Sequence, residues 1–287
     1  MNVGSVIVTY NPNIQQLRRN LDSVTTQVNQ VIIVDNGSDN LKAISGLSQK
    51  YKNIEITCLY KNLGIAAAQN KGFSIFDKRN YDWILTLDQD SVISRKYVNN
   101  LLSIIQYKDA GIITGAYVDL KWTPAKIAQV RSTRTENIQP VNEEISSGNL
   151  VLLKAWKNVE GFDEKLFIDY VDFDFDYKLS RFGYRIYRVN GAEFEHKIGE
   201  SIKKNWLTKI LLLNNKDLFD HSAQRLFYMN RNRIIVRKRF PEWGSDKRMI
   251  IRELLNLREI IVMSGPRLFK FKKAISGIKH GVFYKDR

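Results

Sequence analysis

Four short apolar runs punctuate the first third of this 287-residue chain, at residues 3–9, 30–34, 54–59 and 83–87, and each predicts a buried strand. Between the first two, Ile14, Leu17, Leu21 and Val24 recur at helical spacing, and residues 65–76 are Ala-rich and similarly periodic. The resulting order, β-α-β-α-β-α-β, predicts an α/β fold with a mostly parallel central sheet flanked by helices. In open sheets of that kind ligands bind beyond the carboxyl ends of the strands. Those ends carry Thr9-Tyr10-Asn11, Asp35-Asn36-Gly37-Ser38, Asn62-Leu63-Gly64 and Asp88-Gln89-Asp90, so polar and small residues collect along one rim. The last third has a different pattern. Ile250, Leu254, Leu257 and Ile261 repeat at 4-3-4 spacing, and Leu268, Phe271, Ile275, Ile278 and Val282 at 3-4-3-4, with Lys or Arg between them. These predict basic amphipathic helices.

Composition supports a folded chain, with 44% hydrophobic residues, only five prolines and no low-complexity tract. The amino terminus runs straight into a strand with no basic flank, unlike a secretory signal. No apolar run approaches the roughly 18 residues of a membrane-spanning helix. The single Cys58 cannot form an internal disulfide, which fits a reducing cytoplasm, and its place in a strand marks it as structural. Charge divides the chain more sharply. From Lys197 to Arg287 there are 22 Lys and Arg against 8 Asp and Glu, a net +14 that leaves only +1 for the rest of the +15 total. The carboxyl-terminal part is thus suited to an anionic partner such as acidic lipid or nucleic acid, and a functional boundary is expected near residue 197.

The rim residues suggest chemistry. Asp88 and Asp90, two positions apart where a strand ends, can converge on one hard cation that keeps open positions for phosphate oxygens, although a solvated acidic turn has the same spelling. Asp35 could accept hydrogen bonds from a base or ribose. Asn62 and Gly64 open a helix whose free N–H groups favour anions, beside the plainer reading of close helix packing. In Val171-Asp172-Phe173-Asp174-Phe175-Asp176, Asp172 and Asp176 would share a helix face and Asp174 would point elsewhere.

Val8-Thr9-Tyr10-Asn11, Val34-Asp35-Asn36-Gly37-Ser38, Asn62-x-Gly64-x-Ala66-x-Ala68-x-Asn70 and Asp88-x-Asp90, in this order, resemble the inverting glycosyltransferases of family 2, which have the GT-A fold. The resemblance continues through Ser146-Ser147-Gly148-Asn149, Gly161-Phe162-Asp163-Glu164, residues 167–174 and Glu195-His196-Lys197-Ile198-Gly199, and extends to residues 227–233. It is nearest to bacterial rhamnosyltransferases of surface polysaccharide synthesis. It implies a GT-A catalytic domain over residues 1–200, with a nucleotide-sugar half at 1–110 and an acceptor half at 111–200, followed by a basic helical region at 201–287. By the same resemblance Asp90 is the principal metal ligand, Asp88 supports metal or ribose, and His196 is a later metal ligand, with manganese suiting imidazole better than magnesium. Thr9, Tyr10, Asp35, Asn62 and Gly64 then serve the donor. Asp172 is the catalytic base, with Asp174 beside it in a positioning role, and Ser147, Gly148 and Asn149 lie against a sugar or form a simple turn. An acid that often precedes the base is here Val171. A Gln-x-x-Arg-Trp segment of processive synthases is missing, which favours single addition.

The implied reaction moves one sugar, L-rhamnose from dTDP-rhamnose, to a lipid-linked oligosaccharide in O-antigen or capsule assembly. UDP-galactofuranose and UDP-N-acetylhexosamine are alternative donors. The implied place of action is the cytoplasm, peripheral on the inner face of the cell membrane, with no nucleic-acid partner. The basic helices would bind anionic lipid there, or pack on the catalytic domain or a second copy. Two other classes stay open: a nucleotidyltransferase, which would want a Gly-rich basic phosphate loop where Tyr10-Asn11-Pro12 stands, and a membrane or nucleic-acid binding module.

Overall fold

The computed structural model describes residues 1–197, 199, 201–244 and 249–286. Two compact units emerge, the first Met1–Phe167 with Val171–Lys197, the second Ile168–Tyr170 with Ile198–Arg287. Ile198 of the His196-to-Gly199 stretch and Glu200 at the expected domain boundary lie outside the described residues, as does Arg287.

The first unit is an α/β layer structure. Its strands are β1 (Val3–Thr9), β2 (Gln30–Asp35), β3 (Ile54–Cys58), β4 (Trp83–Asp88), β5 (Val92–Ile93), β6 (Ala110–Asp119), β7 (Ile138–Val141), β8 (Asn149–Leu152) and β9 (Arg185–His196). Helices α1 (Ile14–Val24), α2 (Leu41–Ser48), α3 (Ile65–Lys78), α4 (Tyr97–Leu102), α5 (Pro124–Ser132), α6 (Leu153–Asn158) and α7 (Val171–Arg181) connect them. The sheet order is β3-β2-β1-β4-β8-β6-β9-β5, with β7 on β9. The β3-β2-β1-β4 core is parallel as expected, whereas β8 runs antiparallel to both β4 and β6, so the sheet as a whole is mixed. The expected helix stripe is observed: Leu17, Leu21 and Val24 of α1 are fully buried against Ile7, Ile33 and Leu85 of the sheet. Truncating one such leucine to alanine typically costs about 2–5 kcal/mol. Cys58 is half-buried; burial and then the Asp35 charge push its thiol pKa up, which argues against a nucleophile.

The second unit is helical: α8 (Trp206–Ile210), α9 (Ala223–Arg239), α10 (Met249–Asn256) and α11 (Arg267–Phe283), with a 3-10 segment at Leu257–Val262. Its core joins Leu226 and Ile234 of α9 to Leu257, Ile260, Ala274 and Ile278. Helices α9 and α11 meet closely because α11 offers no side chain there: a Cβ on Gly277 would stand 2.3 Å from the Phe227 carbonyl oxygen, and one on Gly281 2.7 Å from that of Arg231. The expected apolar stripes are each broken. The α-helix beginning at Met249 ends at Asn256, and while Leu257 is buried, Ile250, Leu254 and Ile261 are exposed. Similarly Ile278 is buried but Leu268, Phe271 and Ile275 are not, since the glycine face takes the packing. Within this unit Ile168–Tyr170 is pinned by α9: the Asn232 Nδ2 donates to the carbonyls of Ile168 and Asp169, both at 2.8 Å, and Arg225 pairs with the Asp169 carboxylate at 2.9 Å. Asp169 and Tyr170 are both left-handed (φ 63° and 67°), a conformation that costs non-glycine residues about 1–3 kcal/mol and persists where surroundings enforce it. Among the described residues no helix is long and apolar enough to cross a membrane.

Candidate active site

Strand register assembles the rim. Thr9 lies opposite Asp35 in the β1–β2 pair, and Val8 opposite Asp88 in the β1–β4 pair, so three strand ends stop at one level. Thr9 and Asp35 are buried there and largely committed to one another. The Thr9 hydroxyl donates to Asp35 Oδ1 at 3.0 Å, while Oδ2 accepts the N–H groups of Gly37 and Ser38 at 3.1 and 3.0 Å. These two expected donor-binding residues therefore shape the turn, and a lone pair on Oδ1 is what remains to meet a ligand. Asn62 is likewise occupied: its Oδ1 accepts from Asn36 Nδ2 and from Gly64 N, each at 3.0 Å. Gly64 needs to be glycine, because its φ is 90° and a Cβ would stand 2.5 Å from the Phe167 carbonyl oxygen, which accepts the Ile65 N–H at 2.8 Å. The Tyr10 ring stands exposed at the rim, while its backbone N–H donates to Gln89 Oε1 at 2.9 Å.

The Asp88–Ser91 turn is held from two sides. From α1, whose first turn is capped by Asn13, the Asn20 amide donates to the carbonyls of Asp88 (2.8 Å) and Ser91 (2.7 Å), and Gln16 donates to that of Asp90 (2.8 Å). From β8's approach, the Ser147 hydroxyl accepts the Asp88 N–H at 3.0 Å and donates to Ser91 Oγ at 2.8 Å. The pairing of β5 with β9, Val92 opposite Glu195, then delivers His196 to the same turn. Its Nδ1 is 3.2 Å from Ser91 Oγ and 3.7 Å from Asp88 Oδ2. Asp90 faces a cleft of about 560 Å³ that also involves Gln16, Arg19, Gln89 and Lys197. Among the described residues no three His, Cys, Asp or Glu side chains form a metal cage. What the turn does present is imidazole and carboxylate donors side by side, a donor set that suits a borderline or hard divalent ion with positions left for diphosphate oxygens.

Some expected acceptor-side residues are elsewhere. Ser147 and Asn149 are buried, and Gly148 is boxed in, with a Cβ placed 2.6 Å from the Phe194 ring and its carbonyl accepting from the Tyr97 hydroxyl at 2.7 Å. Antiparallel pairing of β8 with β4, Thr86 opposite Asn149, draws this segment into the sheet against the acidic turn. Asp174 is also buried, with Lys178 Nζ 3.6 Å from its carboxylate, because helix phase turns it inward. On α7 Asp172 alone among the three acids is partly exposed, its Oδ1 accepting the Phe173 N–H at 3.0 Å. One turn on, Asp176 is buried and accepts the Glu144 N–H at 2.8 Å. Burial, and then the charges of Asp172, Glu144 and Glu143, push its pKa well up despite that hydrogen bond.

Gln16, Arg19, Asn20 and Ser91 were not singled out from sequence, while Gln89, Lys197 and Asp176 were named only as members of longer motifs. Asn20 sits beside Leu21 in an apolar stripe and reads as ordinary helix filler.

A mixed sheet with a parallel core, whose carboxyl edge gathers amide, carboxylate and imidazole groups, is an arrangement that the GT-A glycosyltransferases share. Residues 5–158 match the model of Glycosyl transferase family 2, and the chain belongs to that family. It is 27% identical to the dTDP-rhamnosyl transferase RfbF of Shigella flexneri, across 98% of this chain and 95% of that protein. Among solved structures, GalNAc-T7 with UDP, GalNAc and Mn2+ superposes at a TM-score of 0.61 and 14% identity, over 95% of this chain and 54% of that one. The chain thus spans about half of GalNAc-T7. Staphylococcus aureus TarS 1-349 in complex with UDP gives 0.53 at 15% identity, over 98% and 89%. At such identities the likeness is one of fold.

Proposed function

We propose that this protein transfers a single L-rhamnosyl group from dTDP-rhamnose, with inversion, to a lipid-linked oligosaccharide in surface polysaccharide assembly. The observation that carries the reading is the 27% identity to a dTDP-rhamnosyl transferase along almost the whole of both chains. Asp172 takes the proton from the acceptor hydroxyl as its oxygen attacks the anomeric carbon, and the bond to the diphosphate breaks on the opposite face. Asp90, Asp88 and His196 would hold a divalent ion, manganese or magnesium. When bound, that ion offsets the charge growing on the leaving diphosphate. Arg19 and Lys197 add positive charge to the cleft beside Asp90. The exposed Tyr10 ring offers the nucleobase a stacking face, and Thr9, Asp35, Asn62 and Gly64 keep the rim in shape around it. The place of action we infer is the cytoplasmic face of the cell membrane, where a lipid-linked acceptor is presented and the basic second unit meets anionic headgroups.

A panel of dTDP and UDP sugars, assayed for slow donor hydrolysis and for transfer with and without manganese or magnesium, tests this. Preferential metal-stimulated use of dTDP-rhamnose is expected. Preferential turnover of UDP-galactofuranose or UDP-N-acetylhexosamine would replace the donor, and turnover unaffected by chelation would remove the ion from the site.

A further inference from the structure

Beside its buried core, the second unit leaves several large apolar side chains exposed on two helices. In α10 the one buried side chain is that of Glu253, which pairs with Arg233 at 2.8 Å, whereas Ile251 (58% exposed), Leu254 and Leu255 (55%) form an i, i+3, i+4 stripe in solvent. In α11 the side that packs is made of Lys270, Ala274, Gly277, Ile278 and Gly281, while Leu268 (71%), Phe271 (43%) and Phe283 (73%) stay exposed. Lys272 and Lys279, both exposed, fall on the Leu268 stripe at four and eleven residues, and α11 contains no Asp or Glu. Among the described residues both helices therefore keep an exposed apolar face, and the face of α11 is basic. Exposed apolar surface rimmed by one sign of charge marks a binding surface.

We propose that the outward faces of α10 and α11 are the membrane-docking elements, lying at headgroup depth in an anionic bilayer with Leu254, Leu255, Leu268 and Phe271 among the acyl chains and Lys272 and Lys279 at the phosphates. Charge selects the occupant. A second copy would bring the same cations to face these, in a region with a net +14, while an anionic bilayer supplies both hydrocarbon and negative charge. The assignment rests on the proposed membrane-presented acceptor and adds to it which surfaces make the contact.

Flotation of the full chain with vesicles of phosphatidylcholine, with and without phosphatidylglycerol, tests it. One variant combines Leu254→Ser, Leu255→Ser, Leu268→Ser and Phe271→Ser; another combines Lys272→Glu and Lys279→Glu. Each methylene withdrawn from lipid weakens partitioning about fourfold, and each surface lysine contributes about fivefold on anionic lipid. The wild-type chain is expected to float with anionic vesicles at low salt, the serine variant to bind at least about tenfold more weakly, and the glutamate variant to lose its preference for phosphatidylglycerol. Donor hydrolysis in solution should be unchanged in both, because none of these residues belongs to the catalytic machinery. If the wild-type chain fails to float, the membrane reading itself is overturned. If the wild type floats and the serine variant floats equally well, membrane binding survives and this assignment of helices does not. A dimer seen by light scattering that the serine substitutions dissolve, without vesicle binding, would give the faces to a second copy and overturn the proposal.

Discussion

The strand-end rim of the first unit and the outward helix faces of the second satisfy their side chains in opposite ways. At the rim, polar groups that a sequence pattern would assign to ligand are already bonded to protein: Thr9 to Asp35, Asn62 to Asn36 and Gly64, Ser147 to Ser91 and the Asp88 N–H. On α10 and α11 it is apolar groups, Leu254, Leu255, Leu268 and Phe271, that stand in water. Each region is informative through what it leaves unmet. The rim's internal hydrogen bonds hold the backbone of Asp88 and Asp90 and the His196 ring, as the proposed chemistry would require of a preorganised site. The helical faces leave hydrophobic area unburied, which is the driving force for association.

Asp172→Asn strikes the rim's chemistry hardest: transfer should fall by about a thousandfold, within the range general bases supply, with thermal stability maintained. Normal turnover in that variant would sink the assignment of the base. Asp90→Ala should follow with about a hundred- to thousandfold loss and no stimulation by added manganese; retained metal stimulation would move the ion elsewhere. Asn20→Ala probes the sealed part of the rim by removing the amide that donates to the Asp88 and Ser91 carbonyls. It should cost about 1–3 kcal/mol in stability, and about 10- to 100-fold in activity with a higher metal requirement. A variant that is less stable but catalytically normal would show that α1 merely supports the turn. In the second unit Gly277→Leu forces a side chain into the α9 backbone and should destabilise by about 1–3 kcal/mol, detected by denaturant unfolding.

The smallest effect concerns pH. Burial raises the Asp176 pKa in the folded state, so its stabilisation is complete below the ordinary carboxylate range and is lost as pH rises through the raised folded value. Asp176→Asn copies the neutral form, so its melting temperature should decline less than the wild type's between acid and mildly alkaline pH. Parallel curves would show that Asp176 is not held neutral.

Much of the first unit was legible because local pattern and local consequence coincide. An apolar run bounded by Asp or Asn marks both a strand and its carboxyl end, so the four parallel strands, α1, α3 and the rim could be placed directly. The acid order on α7 was half legible: periodicity separates Asp174 from Asp172 and Asp176, but which face meets protein is not a local property. Ser91 carried no signal, since its partner His196 lies over a hundred positions away and arrives only through the β5–β9 pairing.

Local pattern was enough for the class of fold, the rim of strand ends and the charge division near residue 197, because these follow from period, turn chemistry and composition. Tertiary structure alone decided that Ser147, Asn149 and Asp174 are interior, that Asn20 and Gln16 brace the acidic turn, and that α10 and α11 turn their apolar sides outward. The reason is geometric. A periodic pattern states which residues share a face, whereas the neighbour that covers the face is chosen by long-range strand pairing and by how closely glycines let two helices approach.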